Sequence, residues 1–200
     1  MSANPLTRTF PTKVRIGGRE YPIRWRFLDC IQIILAYEDN DLTREEQQYV
    51  LLRRFYQEVP SDVGKALELA LHFLDGGGQS AKPDDEPEES TPLRLYSFDR
   101  DGGLIYSAFR HQYGIDLQKD ELHWWAFLAL FQDLSADSRF YQLLRLRQGY
   151  LEGTLSREET ALFESMGPAA LPPEQPGDRE REAAARRFLM ELEGGGSVGR

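Results

Sequence analysis

The side chains best suited to catalysis or metal binding in this chain are three histidines and one cysteine. His72, His111 and His123 are never three or four residues apart, and none belongs to a Cys/His cluster, so metal ligation has little support. His123 could act as a general base, but it has no adjacent nucleophile, and a histidine flanking an apolar helix is usually a partnered structural residue. Cys30 has no histidine near it in sequence, which favours a small buried side chain over a nucleophile.

Glycine-rich and acidic segments also lack the spacing of known sites. Gly17-Gly18 is not followed by Lys-Ser/Thr and opens no helix, so we interpret it as a turn rather than a phosphate loop. Residues 76–91 carry five carboxylates but not the ligand spacing of a calcium loop. The remaining carboxylates are scattered, and the sequence leaves open whether two of them meet as a general acid and base. We therefore expect no catalytic residue, metal or cofactor, and a protein that is not an enzyme.

Composition narrows the class of partner. The chain has 200 residues, of which 24 are basic and 33 acidic, giving a formal charge of −9. An acidic surface repels phosphates and anionic lipids, so neither nucleic acid nor a membrane is an expected partner. The tryptophans could stack bases, but the sequence lacks the basic groove that such proteins need. A single cysteine, no signal peptide and no apolar run near the roughly 18 residues of a membrane span predict a soluble cytoplasmic protein.

The element that should position these residues is the aromatic stretch Tyr96–Leu134. It predicts two helices joined at residues 114–116, the first capped by Ser97 and closed by Gly114 in a left-handed conformation. The first helix should bury one apolar face, formed by Phe98, Ile105, Phe109 and Tyr113.

The second helix of this stretch should run from near Asp120 to Gln132. Because apolar side chains surround most of its circumference, we expect it to be buried, with Trp125 and Phe127 as core residues and Trp124 less certainly so. The side chains concerned are Leu122, Trp124, Trp125, Phe127, Leu128, Leu130 and Phe131.

Three helices are predicted before this stretch, after a hairpin at Val14–Tyr21 whose Gly-Gly turn is of type I′. They are a helix over Phe27–Glu38, one begun by a Thr43/Glu46 capping box and ended by Pro60, and one capped by Ser61. The predicted inner faces are Leu28, Ile31, Ile34 and Leu35; Tyr49, Leu52, Phe55 and Tyr56; and Val63, Leu67, Ala70, Leu71 and Leu74.

Two helices should follow the stretch, one begun by Ser135 or Asp137 and one by a Ser156/Glu159 capping box. A last amphipathic helix is predicted over Asp178–Glu193. Its apolar stripe is too small to form a domain, so it should dock on its own core, on a partner or on a neighbouring copy. The partner-binding residues predicted for this stripe are Phe188, Leu189 and Leu192.

These elements predict a mainly α fold: a compact helical domain with a short N-terminal β-hairpin, an acidic disordered linker and a C-terminal tail helix. The predicted divisions are an N-terminal extension (1–12), the first part of the core (13–75), the linker (76–92), the second part of the core (93–167) and a flexible tail (168–200).

The aromatic stretch also carries a specific pattern of residues. Its members are Tyr96, Ser97, Phe98, Asp101, Ile105, Tyr106, Ala108, Phe109, Tyr113, Gly114, Ile115, Asp116, Leu122, His123, Trp124, Trp125, Phe127, Leu130 and Phe131. This pattern resembles the family of phage proteins labelled by gene-product number fifteen, which are regarded as tail assembly chaperones of long-tailed phages. The resemblance extends more loosely from about Tyr21 to about Met166.

The resemblance implies a non-enzymatic chaperone that binds the phage tape measure protein and keeps it soluble and competent for tail tube polymerisation. It implies work in the cytoplasm of the infected host and absence from the mature virion. The tail tube protein and a second copy of the chain are further candidate partners. Two other functions stay open at this point: a minor structural protein of the head–tail connector or tail tip, and a small enzyme acting on host components.

Overall fold

The computed structural model describes residues 6–7, 9–77 and 93–174, and in that part the chain is mainly helical. One antiparallel hairpin precedes seven α-helices and a short 3-10 helix, which confirms the predicted fold class. The elements are β1 (Lys13–Ile16), β2 (Arg19–Pro22), α1 (Phe27–Glu38), α2 (Arg44–Phe55), α3 (Val63–Leu74), α4 (Phe98–Tyr113), α5 (Trp124–Gln132), α6 (Arg139–Glu152), α7 (Arg157–Met166) and the 3-10 helix (Gly167–Ala170).

Two predictions fall largely outside the described residues. The predicted acidic linker covers residues 76–92, of which only Gly76 and Gly77 are described, and the predicted tail helix with Phe188, Leu189 and Leu192 lies beyond residue 174. Both stay predictions.

The chain divides into two compact units. The first comprises Met1–Glu86 and Ser97–Leu143, and the second comprises Pro87–Tyr96 and Leu144–Arg200. The division falls inside α6.

The hairpin forms as its turn residues require. Gly17 and Gly18 have φ angles of 56° and 83°, which are the two positive values of a type I′ turn. Cross-strand pairing sets Val14 opposite Tyr21, and the alternation of side chains along each strand buries Ile16 and Tyr21. The hairpin therefore buries one apolar face of each strand.

Helix α1 has the predicted bounds but a different inner face. Its buried side chains are Phe27, Cys30 and Ile33, whereas Leu28 from the predicted face is 39% exposed. The helix carries two overlapping apolar registers, and periodicity alone does not choose between them. Packing chooses the register that contains Cys30, which confirms that this residue is a small buried side chain.

Helix α2 begins with the predicted Thr43/Glu46 capping box, and Phe55 and Tyr56 from its predicted face are buried, but Tyr49 from that face is not. Leu51 is buried, whereas Tyr49 is 64% exposed. The helix ends at Phe55, well before Pro60, because Tyr56 adopts an extended conformation and pairs with Ile23 next to the hairpin. This backbone pairing replaces the last predicted helical turn. No local signal in the sequence indicates it.

Helix α3 is capped by Asp62 instead of Ser61, with the carboxylate accepting a hydrogen bond from the Lys65 N–H at 3.0 Å. Ala66, Ala70, Phe73 and Leu74 are buried, whereas Val63 and Leu71 from the predicted face are exposed.

Helix α4 begins at Ser97 and ends at Gly114 as predicted, with the Gly114 φ at 70°. The structure adds a second cap from α1. The Glu38 carboxylate accepts hydrogen bonds from the Ser97 hydroxyl at 2.7 Å and from the Phe98 and Asp99 N–H groups at 3.1 and 3.2 Å. A carboxylate is favoured here because the N-terminus of a helix carries partial positive charge, so the end of α1 is joined to the start of α4.

Helix α5 is shorter and less buried than predicted. It begins at Trp124, not near Asp120, because the preceding residues pair with the segment before α1: the Phe27 N–H donates to the Leu122 carbonyl at 2.8 Å. Only Trp124 and Phe127 are fully buried, and the other large apolar side chains of this helix are partly buried. The Phe127 ring stacks on Phe109, with centroids 5.0 Å apart.

In the second unit, residues from α6 and α7 pack through aromatic rings. Tyr150 stacks on Phe163 with centroids 4.7 Å apart, and the predicted Ser156/Glu159 capping box of α7 is present. Helix α6 itself begins at Arg139, later than predicted, where the Ser138 hydroxyl accepts a hydrogen bond from a backbone N–H.

Candidate functional site

The start of α5 brings together the residues of the first unit with the most distinctive chemistry. We call Phe10, Trp25, Phe73, His123 and Trp125 the aromatic cluster. Phe10 precedes β1, Trp25 precedes α1, Phe73 lies in the last turn of α3, and the other two residues lie at the N-terminus of α5. The rings lie at centroid distances between 4.8 and 6.3 Å from His123. Four segments distant in sequence therefore meet at one imidazole.

The adjacent tryptophans of α5 cap the C-terminus of α3. The Trp124 indole N–H donates to the Leu74 carbonyl and the Trp125 indole N–H donates to the Phe73 carbonyl, both at 2.8 Å. The last four carbonyls of a helix have no partner within the helix, so these side chains supply donors that α3 itself lacks. The Trp-Trp pair is explained by two consecutive carbonyls at a helix end.

A glycine lets the chain leave α3 beneath one of these rings. A Cβ built on Gly77 would lie 2.7 Å from Cη2 of Trp125, closer than real Cβ contacts, and the Gly77 φ is +73°. Glycine accommodates both the close contact and the left-handed backbone without a steric cost. The position of Trp125 therefore depends on this glycine as well as on the carbonyl it binds.

His123 is the N-cap of α5 and uses both ring nitrogens. Nδ1 accepts a hydrogen bond from the Trp125 backbone N–H, and Nε2 lies 3.0 Å from the Pro11 carbonyl oxygen. A carbonyl only accepts, so Nε2 must carry the proton and the ring is neutral in a single tautomer. Burial lowers the pKa of His123, and the hydrogen bond to Pro11 partly opposes that shift.

Two rings stack on the imidazole. Phe10 lies 4.8 Å away at an interplanar angle of 25°, and Trp25 lies 5.2 Å away at 14°. The backbone supports this arrangement, because the Trp124 N–H donates to the Trp25 carbonyl at 2.8 Å.

This geometry suits packing and helix capping. The Nδ1 lone pair of His123, which a general base would need, is occupied by the Trp125 N–H. This confirms the prediction that His123 is a partnered structural residue. Cys30 is fully buried, its Sγ donates to the Arg24 carbonyl at 3.6 Å, and burial raises its pKa, so the reactive thiolate is disfavoured.

Two searches cover only the described residues. No group of three or more His, Cys, Asp or Glu side chains is arranged there to hold a metal ion. None of the helices in that part of the chain has the length and apolarity needed to span a membrane.

The first unit also presents large apolar side chains to solvent on its first three helices. Each is more than one third exposed, although none was predicted to be a surface residue. We call them the exposed apolar set: Leu28, Tyr37, Tyr49, Val63 and Leu71.

The structure does not test the partner-binding residues predicted from sequence, since Phe188, Leu189 and Leu192 lie outside the described residues. Phe10, Pro11 and Trp25 were missed as members of a site. Their only sequence signal is their residue type, because each reaches His123 through contacts more than 95 positions away in the chain.

The fold places the protein in the mainly helical class, with an N-terminal hairpin before the helices and the aromatic cluster at the start of α5. Within that class, the sequence family described as Bacteriophage Gp15 protein matches residues 6–167. The chain therefore belongs to this family, as the resemblance predicted, and it is a phage structural or assembly protein. No curated protein and no solved structure gave a match.

Proposed function

We propose that the chain is a tail assembly chaperone that binds the phage tape measure protein, without enzymatic activity, and keeps it soluble until the tail tube polymerises around it. Family membership over residues 6–167 carries this proposal, because it limits the protein to phage structure or assembly. Within that range, the residue pattern between Tyr96 and Phe131 favours the chaperone role.

The exposed apolar set supports a function that depends on binding. A chaperone that protects a long helical partner needs apolar side chains accessible on folded helices, where an amphipathic helix of the partner can lay its own apolar face. Helices α1, α2 and α3 provide such side chains without unfolding. Because binding acts by mass action, no nucleotide or cofactor is required.

The charge of the chain favours a protein partner over nucleic acid. At a formal charge of −9, the chain repels phosphate groups, whereas apolar contacts with a protein are little affected by that charge. The tail tube protein and a second copy of the chain are further candidate partners in the cytoplasm of the infected host.

Co-expression of the chain with the tape measure protein of the same phage, followed by a pull-down, tests the proposal. The chain should keep the tape measure protein in the soluble fraction and be recovered with it. Exchange of Tyr49, Val63 and Leu71 for serine should reduce recovery at least tenfold while the melting temperature stays unchanged, because these side chains are exposed.

The matched control exchanges polar exposed side chains on the same region for serine. Arg53→Ser and Gln57→Ser remove exposed side chains of similar size without removing apolar surface. Equal recovery of the tape measure protein with both sets of variants would contradict binding through the exposed apolar set. Failure of the parent chain to bind at all would contradict the chaperone function itself.

The alternative, a minor structural protein of the head–tail connector or tail tip, differs in where the protein is found after assembly. Mass spectrometry of purified virions should not detect a chaperone, whereas a structural component must be present there. Gene order gives a second test, since a chaperone gene should directly precede a very long tape measure gene.

A further inference from the structure

The segment before the hairpin is held against α5 by His123. We call residues 9–12 the N-terminal strap. Its Pro11 carbonyl accepts the hydrogen bond from His123 Nε2, and the Phe10 ring stacks on the imidazole and approaches Trp125 edge-on at 6.2 Å. The strap therefore depends on the position and protonation state of one side chain.

This arrangement holds only while Nδ1 is unprotonated. A proton taken from solvent at Nδ1 would place an N–H opposite the Trp125 N–H, which is 3.0 Å away and is itself a donor. It would also place positive charge at the N-terminus of α5, where the helix dipole opposes it. Both effects turn the ring away from Trp125, and the same rotation moves Nε2 away from Pro11 and the ring plane away from Phe10.

Charged groups lie on the elements around His123, but its protonation state is set mainly by the two backbone groups that its imidazole contacts. Before α1, Arg26 is paired with Glu121 at 2.9 Å. At the end of α3, His72 and Asp75 flank Phe73 and Leu74, and burial raises the Asp75 pKa while His72 lowers it. Beyond the strap, Lys13 is paired with Glu20 across the hairpin. Helix α5 contains no ionisable side chain. The two hydrogen bonds of the imidazole go to Pro11 and Trp125.

We propose that His123 is a proton-sensitive anchor, and that protonation at Nδ1 releases the N-terminal strap from the aromatic cluster and exposes the edge of Trp125. The anchor holds at neutral pH, and the strap is released as the pH falls below 6.5, the ordinary value for histidine. Release and protonation are reciprocal, so a weaker strap must make His123 easier to protonate.

NMR on the full chain tests this proposal directly. At pH 7.5 the imidazole ¹⁵N shifts should report a proton on Nε2 and none on Nδ1. On acidification, the contact between the Phe10 and Trp125 rings should be lost with the same midpoint as His123 protonation, below pH 6.5. A ring contact that persists below that midpoint, or a proton on Nδ1 at pH 7.5, would overturn the proposal.

Two variants separate the anchor from a merely structural role. His123→Asn can still cap α5 but lacks the Nε2 donor to Pro11 and the ring that Phe10 stacks on, so the strap contact should already be lost at pH 7.5 and show no pH dependence; a contact that persists at pH 7.5, or that is lost at the wild-type midpoint, would overturn the proposal. Phe10→Ala removes the ring that shields the imidazole, and should raise the His123 midpoint towards 6.5. An unchanged midpoint would likewise overturn it. His111→Asn, the same exchange at an exposed histidine of α4, should leave the strap signals unaltered.

Discussion

In both units of the chain, side-chain donors pair with backbone carbonyls, but the side chains differ. In the first, two consecutive carbonyls at the end of α3 accept hydrogen bonds from the indoles of Trp124 and Trp125. In the second, the guanidinium of Arg147, which is 0% exposed, donates to the carbonyls of Leu95, Ala169 and Ala170 at 2.9 to 3.1 Å. Both supply side-chain donors to backbone carbonyls that lie outside the regular hydrogen bonds of helices and strands.

The difference lies in charge. An indole is neutral, so burying it costs little beyond one hydrogen bond, and each tryptophan also contributes apolar area. A buried guanidinium carries a positive charge, so it must offset a large desolvation cost with several hydrogen bonds. The first unit should therefore tolerate the loss of one donor better than the second, because each tryptophan serves one carbonyl and Arg147 serves three.

Removing Arg147 should have the largest effect. Arg147→Met keeps much of the apolar stem but leaves three carbonyls without their donor, which should cost about 3–5 kcal/mol in the free energy of unfolding. Urea unfolding followed by circular dichroism measures this. The matched control is Arg145→Met on the same helix, where an exposed ion pair with Glu159 at 3.5 Å is lost at a cost below about 1 kcal/mol. Similar losses for both variants would contradict the carbonyl-binding role.

The two tryptophans should contribute differently to stability, because they lie at different depths. Trp124→Phe keeps an aromatic ring but removes the donor to the buried Leu74 carbonyl, at a cost of about 1–3 kcal/mol. Trp125→Phe should cost roughly half as much, because Trp125 is only partly buried and its partner, the Phe73 carbonyl, also accepts a hydrogen bond from the Gly76 N–H at 3.0 Å. Thermal unfolding of both variants measures the order. A larger loss for Trp125→Phe would reverse the depth argument.

Local signals in the sequence predicted those helix ends that a capping box or a left-handed glycine defines. The capping boxes at Thr43 and Ser156 and the left-handed Gly114 depend on residues within four positions of each other, so the chain defines them before it folds. Asp62 replaced Ser61 because both residues can cap a helix and lie next to each other.

Long-range packing determined which side chains are buried where the sequence pattern allowed more than one answer. Periodicity placed Leu28 inside, yet Phe27 and Ile33 are the residues buried beside Cys30, because α1 is apolar on more than one face. Trp124 is 1% exposed, although Trp125 was predicted to be the safer core residue. Adjacent positions on a helix cannot share one face, and only the position of the α3 carbonyls determines which ring lies deeper. The role of His123 in holding Pro11 depends on a contact 112 positions apart and has no local signal.

The smallest expected effect concerns the helix ends, where the two units are alike. The Glu46 pKa is lowered first by the Thr43 backbone N–H and then by its hydroxyl, and the Glu159 pKa is lowered in the same way by Ser156. A lowered carboxylate pKa stabilises the folded state above the ordinary value of 4.5, and that contribution is lost as the pH falls through the folded-state value.

Glu46→Gln and Glu159→Gln should each lower the melting temperature slightly at pH 7, and the gap to the parent protein should close as the pH falls below 4.5. Melting curves at pH 7 and across the acid range measure this, with Glu45→Gln in the same first turn of α2 as the control without a capping-box bond. A gap that stays constant with pH would show that the carboxylate charge is not what stabilises these helix ends. Equal behaviour of Glu46→Gln and Glu159→Gln would place the difference between the units in their buried donors, because the capping chemistry of the helix ends would then be the same in both.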